Sequence, residues 1–184
     1  MNTLSDTELG ALLLARARTA LARHLGVSDA PLPDHAELEV LGATFVTLTN
    51  AGELRGCIGS VYARRTIAED VAFNAIAAAT RDTRFSPVTA AELPHIRIEV
   101  SLLSEPRQLD FHDEATLLKK LRPGVDGVML YAGAHSATFL PQVWEQLQEP
   151  EQFLQALKHK AGLDPSQSAI DLQVATYTVR KWKE

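Results

Sequence analysis

Apolar residues recur at helical spacing from Leu9 through Leu12, Leu13, Ala17, Ala20 and Leu21 to Leu25, and Gly26 follows as a residue able to take the left-handed turn that stops a helix. Ser5-Asp6-Thr7-Glu8 has capping-box spacing, so the pattern predicts a helix from Ser5 to Leu25. Pro31 and Pro33 then predict an extended linker. From Thr44 to Thr49 the pattern changes to alternation among β-branched residues, which predicts a strand. Asn50-Ala51-Gly52-Glu53 reads as a turn and Leu54 to Ser60 as the return strand of a hairpin, its glycines marking a bulge or a close backbone approach.

A second capping box, Thr66 to Glu69, opens an alanine-rich helix that carries Ile67, Val71, Ala75, Ala78 and Ala79 and ends near Thr80-Arg81-Asp82. Beyond Pro87 and Pro94, residues Ile96, Ile98, Val100 and Leu102 point one way and Arg97, Glu99 and Ser101 the other, which is strand alternation. Asp113 caps a short helix through Leu121, and Pro123 to Gly127 turns into a strand at Val128 to Tyr131. A hairpin through Gly133 leads to Ser136–Leu140, Pro141 begins a helical turn, and Phe153, Leu154 and Leu157 lie on one face of a helix stopping at Gly162. Ile170 to Trp182 closes the chain as a β-rich segment. Helices and strands intersperse without regular alternation, and hairpins recur. The expected fold is therefore α+β, a mixed to antiparallel sheet with flanking helices, arranged as two lobes of one unit over residues 1–184, with a boundary near Pro106 to Phe111.

Composition narrows the function classes. With 184 residues and 46% hydrophobic content the chain can bury a sizeable core. One cysteine excludes an intramolecular disulfide and the multi-cysteine patterns of structural zinc and iron–sulfur clusters. The opening Met1-Asn2-Thr3-Leu4-Ser5-Asp6 has no basic region followed by an apolar run, and no apolar stretch is long enough to cross a bilayer, so the sequence reads as a cytoplasmic protein without a membrane. A formal charge of −5 repels polyanions, and a nucleic-acid role would need a local basic patch acting against that field.

Candidate chemistry centres on Leu54-Arg55-Gly56-Cys57-Ile58-Gly59-Ser60, where the single cysteine stands between glycines and near an arginine. A guanidinium favours thiolate over thiol, and the thiolate is the nucleophile. The competing reading is a buried, inert cysteine in a structural hairpin, with Gly56 and Gly59 as backbone devices.

The same heptad resembles the signature of the AMMECR1 domain family. Further blocks follow in the family's order: Asp82 to Pro87 with Glu92-Leu93-Pro94, Glu99 to Ser104, Gly124 to Val128, Thr138 to Val143, and Phe153-Leu154 through Lys160 to Leu163. The resemblance spans nearly the whole chain. It implies an α+β fold with two subdomains and a place in the AmmeMemoRadiSam system beside a Memo-like protein and a radical SAM protein. It brings no settled reaction. Ser60 stands where the family commonly has threonine, which keeps the hydroxyl.

Around Cys57 the expected polar neighbours are Asp82, Arg84 and Glu99, on the reasoning that a helix end, its loop and the strand from Ile96 converge on one side of a sheet. Cys57, Glu99 and Arg55 are the candidate catalytic residues; Gly56, Gly59, Ser60, Asp82 and Arg84 are candidate binding residues. Each has a structural alternative, an ion-pair set in which Arg84 clamps a carboxylate bidentately and Glu99 pairs with Arg55 or Arg84. His24, His35, His95, His112, His135 and His159 form no metal-ligand spacing, so neither metal nor cofactor is expected, and His135 is the histidine placed least badly to act as a base. Three functions compete: an enzyme component using Cys57 on a small molecule or a modified macromolecule, a non-catalytic scaffold for the Memo-like and radical SAM partners, and a nucleic-acid-associated regulator, which the charge disfavours.

Overall fold

The structure is a computed structural model describing residues 3–184. Met1 and Asn2, with which the leader-free reading of the N-terminus begins, lie outside the described residues. The fold is α+β with two antiparallel sheets, and the chain divides into two compact units, one running to Leu103 and taking back Arg180–Glu184, the other Ser104–Val179. The division falls where the long strand from Ile96 ends, ahead of the Pro106 to Phe111 loop. The β-rich C-terminal segment also splits, supplying one strand to each sheet.

In the first unit α1 (Asp6–His24) starts as the capping box predicts: Ser5 Oγ accepts from Glu8 N, and Glu8 Oε2 accepts from Ser5 N at 2.8 Å. Gly26 ends it with φ of 69°. Strands β1 (Leu41–Asn50) and β2 (Glu53–Gly59) form the hairpin, β3 (Arg65–Thr66) pairs with the start of β1, and α2 (Ile67–Thr80) follows under its own capping box. The sheet order is β2-β1-β4-β9, with β4 at Ile96–Leu103 and β9 at Val179–Lys183; β5 (Arg107–Gln108) to β8 (Gln173–Tyr177) lie in the second unit. Strand alternation sends Val46, Leu48, Ile98 and Val100 into a core shared with Leu13, Leu21, Val71 and Ala75 of the two helices. Truncating any of its large members to alanine would cost about 2–5 kcal/mol. The other face of β1 and β4 presents Thr47, Glu99 and Arg97, half-buried or exposed.

The C-terminus is tied into the same unit. Arg18 donates to the Glu184 carboxylate and to the carbonyls of Leu93 and Ile96, and Trp182 lies so close to Gly10 that a Cβ there would meet the indole at 2.2 Å.

The second unit carries a sheet ordered β5-β8-β6-β7, with β6 at Gly127–Ala132 and β7 at His135–Phe139. Asp113 caps α3 (Glu114–Lys120), and α4 (Pro150–Lys160) ends at Gly162, whose φ is 78°. Its core holds Leu117, Val128, Leu130, Phe153 and Leu157, with Trp144 stacked on Phe153 at 3.7 Å between centroids. Trp144 packs as a core residue and donates Nε1–H to Asp126 O at 2.7 Å. Lys158, 1% exposed, donates to Glu114 Oε2 at 2.8 Å and Gln167 O at 2.6 Å, which offsets its burial. Among the described residues no helix is long and apolar enough to cross a membrane.

Candidate functional site

The β1–β2 turn places Ala51 and Gly52 at φ of 51° and 86°, a pair of left-handed residues suited to a tight hairpin. Its register brings Thr47 opposite Cys57 and Leu48 opposite Gly56, then slips between Leu48 and Thr49, which leaves Arg55 as the bulged residue. A bulge re-aims a side chain. Here it sends Arg55 to Glu92, with Nε to Oε1 at 2.8 Å and Nη2 to Oε2 at 3.3 Å, and to the Ser86 carbonyl at 2.8 Å. The Arg55 guanidinium therefore fastens the 86–92 loop to the hairpin instead of facing the thiol. In return it holds the Glu92 carboxyl down to about 2, with hydrogen bonds from Thr89 assisting.

Both glycines answer to close contacts. A Cβ on Gly56 would stand 2.1 Å from the Ala78 carbonyl oxygen, so this position seats β2 against the last turns of α2. A Cβ on Gly59 would meet the Phe45 ring at 2.1 Å, so that ring lies over the β2 backbone on the opposite sheet face.

Cys57 projects to the face away from α2, in one cross-strand row with Thr47 and Glu99. It is half-buried, and its Sγ accepts the Thr47 hydroxyl at 3.3 Å. Its backbone N–H is directed off the edge of the sheet to Asp82 Oδ2 at 2.9 Å. Asp82, 8% exposed, is clamped bidentately by Arg84, Nε to Oδ1 at 2.9 Å and Nη2 to Oδ2 at 2.6 Å. Arg84's hydrogen bond, helped by the N–H groups of Cys57 and Arg84, holds the Asp82 carboxyl far below the usual carboxylate range against the opposing effect of burial. Asp82 in turn raises Arg84, and negative charge on Cys57 would raise it further. Arg84 is thus the guanidinium electrostatically coupled to the cysteine.

Glu99 stands in the row but not in contact. Thr47 lies between it and Cys57, and two strand spacings put the backbones about 10 Å apart. Its ion-pair partner is Lys181, with Nζ to Oε1 at 3.8 Å, and not Arg55 or Arg84 as expected from its place in mid-strand. Glu99 makes no hydrogen bond to Sγ in this arrangement; within the row it is Thr47 that hydrogen-bonds the sulfur.

Ser60 turns the other way, donating to Asp70 Oδ1 at 2.6 Å. Asp70, 0% exposed, also accepts from Thr44 N and Thr44 Oγ1 at 2.8 Å and from Asn74 Nδ2 at 2.9 Å, with Arg65 at 3.3 Å. This buried network, which joins α2 to β1 and to the end of the hairpin, was not anticipated. Its only sequence signal is the Asp70–Asn74 spacing, i to i+4 on an otherwise apolar helix face. His135, in the second unit, hydrogen-bonds through Nδ1 with the Ala161 carbonyl at 3.0 Å. Among the described residues no group of three or more His, Cys, Asp and Glu is placed to hold a metal ion.

What the arrangement can do is limited and specific. A single thiol is presented on a partly exposed sheet face with a hydroxyl donor on its sulfur, on a strand locked at its edge by an aspartate–arginine pair and on its back by a helix.

The AMMECR1 family model matches residues 14–182. A protein of Thermofilum pendens is 37% identical over 177 residues, covering 89% of this chain and 83% of that protein, and one of Methanothermobacter thermautotrophicus is 38% identical over 160 residues, covering 85% and 83%. The crystal structure of an uncharacterized protein from Pyrococcus horikoshii is similar across 96% of this chain and 92% of that one, with a TM-score of 0.80 at 31% identity.

Proposed function

The chain belongs to the AMMECR1 family, and from that premise we propose that it is a component of a cytoplasmic enzyme system working with Memo-like and radical SAM partners, in which Cys57 supplies a thiolate. The observation that carries this reading is the division of labour within the heptad. Arg55, Gly56, Gly59 and Ser60 are all engaged in fastening the hairpin, while the Cys57 side chain is left half-buried, with the Thr47 hydroxyl as its hydrogen-bond partner among the described residues. In the proposed step Sγ attacks an electrophilic carbonyl carbon of an acyl substrate. The S–H bond breaks, an S–C bond forms, and the departing oxygen or nitrogen leaves with the thiol's proton, relayed by Thr47 or water. Arg84, through its clamp on Asp82, holds the Cys57 backbone in place, and Glu99 with Lys181 supplies polar groups for the far end of a substrate lying along the row.

The same bracing supports a second reading, that the hairpin is a rigid non-catalytic element on which the partners dock. One comparison separates them. Cys57→Ala should leave copurification with the Memo-like and radical SAM proteins intact and abolish product formation by the assembled system. Full turnover by Cys57→Ala would sink the thiolate reading and leave the scaffold.

A further inference from the structure

On the α2 side of the first unit's sheet, opposite the face that presents Cys57, cationic and aromatic side chains interleave. Arg65 and Arg81 both lie over the Phe73 ring, with Cζ at 4.0 Å and 5.2 Å from its centroid, and Arg64 lies 5.8 Å from the Tyr62 centroid. Phe73 is 36% and Tyr62 44% exposed, so these rings are surface platforms and not core. A guanidinium resting on a ring face keeps its in-plane N–H donors pointing outward, and loses less freedom when an oxyanion binds. Arg65 is fixed further by the buried Asp70 carboxylate at 3.3 Å. Among the described residues Arg64 and Arg81 make ring contacts but no ion pair. Concentrating cations without carboxylate partners runs against a chain whose formal charge is −5, and costs repulsion that a bound anion would offset.

Beside these residues opens a cleft of about 270 Å³ lined by Ser60, Val61, Tyr62, Arg64 and Arg65. Its walls combine two guanidiniums with an aromatic and an aliphatic side chain, room for a small organic body next to an anion. The overall negative field disfavours long polyanions, whereas a compact dianion feels mainly the local arginines. Two guanidiniums lining the cleft, with a third on the Phe73 ring beside Arg65, suit the several oxygens of a tetrahedral group better than a single flat carboxylate.

We propose that this surface binds a phosphate monoester, its phosphate on Arg64, Arg65 and Arg81 and its organic part in the cleft against Tyr62. Calorimetric titration with phenyl phosphate and with inorganic phosphate tests it, using the full chain. Saturable binding of phenyl phosphate is expected, at least about tenfold weaker in both Arg64→Gln and Arg81→Gln, and unchanged in Arg180→Gln, an exposed arginine elsewhere in the unit. Inorganic phosphate should bind more weakly, because it leaves the cleft empty. Circular dichroism of the two exposed-arginine variants should match the parent, which separates lost contact from lost fold. Absence of saturable binding, equal binding by the variants, equal affinity for inorganic phosphate, or tighter binding of an oligoglutamate peptide or oligodeoxythymidylate than of phenyl phosphate would each overturn the assignment.

Discussion

Gly56→Ala isolates the claim that β2 is seated against α2 at a single backbone contact. The new Cβ would stand 2.1 Å from the Ala78 carbonyl oxygen and 3.0 Å from its carbon, where ordinary contact begins at 3.4 Å. Because the obstacle is helix backbone, no side-chain rotation relieves it, and β2 and α2 must separate by roughly 1.3 Å; overpacking of this kind costs about 1–3 kcal/mol. The movement would also stretch the bond from Cys57 N to Asp82 Oδ2 at 2.9 Å, a charge-assisted contact worth about 1.5–3 kcal/mol. The combined loss is about 2.5–6 kcal/mol, or a melting temperature lower by about 5–24 °C for a chain of this size. Gly52→Ala is the control: its φ of 86° strains alanine by about 1–2 kcal/mol, but nothing lies within 4 Å of the added carbon. The assay is urea unfolding followed by circular dichroism, with amide exchange of β2 and α2 assigning the transition to the first unit, since two compact units need not unfold together. A Gly56→Ala cost no greater than that of Gly52→Ala would refute the seating argument.

Glu92→Gln should flatten the acid limb of the stability profile. Its carboxyl is depressed to about 2 in the folded chain from an ordinary 4.5, so its contribution is complete above about 4.5 and fades as pH falls toward 2. Discounted for its partial exposure, the contribution at neutral pH is about 1–2 kcal/mol, and a variant whose denaturation midpoint shows the parental pH dependence would argue against the Arg55 clamp. Asp70→Ala strands the buried amide and hydroxyl donors of Thr44 and the half-buried Ser60 hydroxyl, while the Asn74 amide keeps the Thr44 carbonyl, and should lower stability by about 3–5 kcal/mol in urea titration. A loss under about 1 kcal/mol would mean that water satisfies these groups at little cost.

How far the sequence revealed all this differs by element. Caps and periodicity located α1 within a residue at each end, because Ser5, Glu8 and Gly26 act locally. The hairpin was equally readable, though β1 extends to Leu41, where the two-residue β3 pairs with it; so short a strand leaves no period to read. The split of the C-terminal segment between sheets is a long-range event with no local signature. At the site, Arg84 was expected to clamp a carboxylate bidentately, and the carboxylate it takes is that of Asp82, which also accepts the Cys57 N–H. The aim of Arg55 was not, because it depends on a bulge one residue wide. Glu99 was placed on the right sheet face, but the neighbour that takes its charge comes from Lys181 in the last strand, far along the chain.

Whether the braced hairpin presents Cys57 as a reactive thiol is measured directly by its alkylation rate across pH and urea in the parent, Thr47→Val and Arg84→Gln. Native-state reaction is expected, with a rate flat in urea below the unfolding transition, and a rate that changes when the Thr47 hydroxyl on Sγ or the Arg84 clamp on Asp82 is removed. A thiol that reacts only in proportion to the globally unfolded fraction, with no response to either substitution beyond their effect on stability, would contradict it.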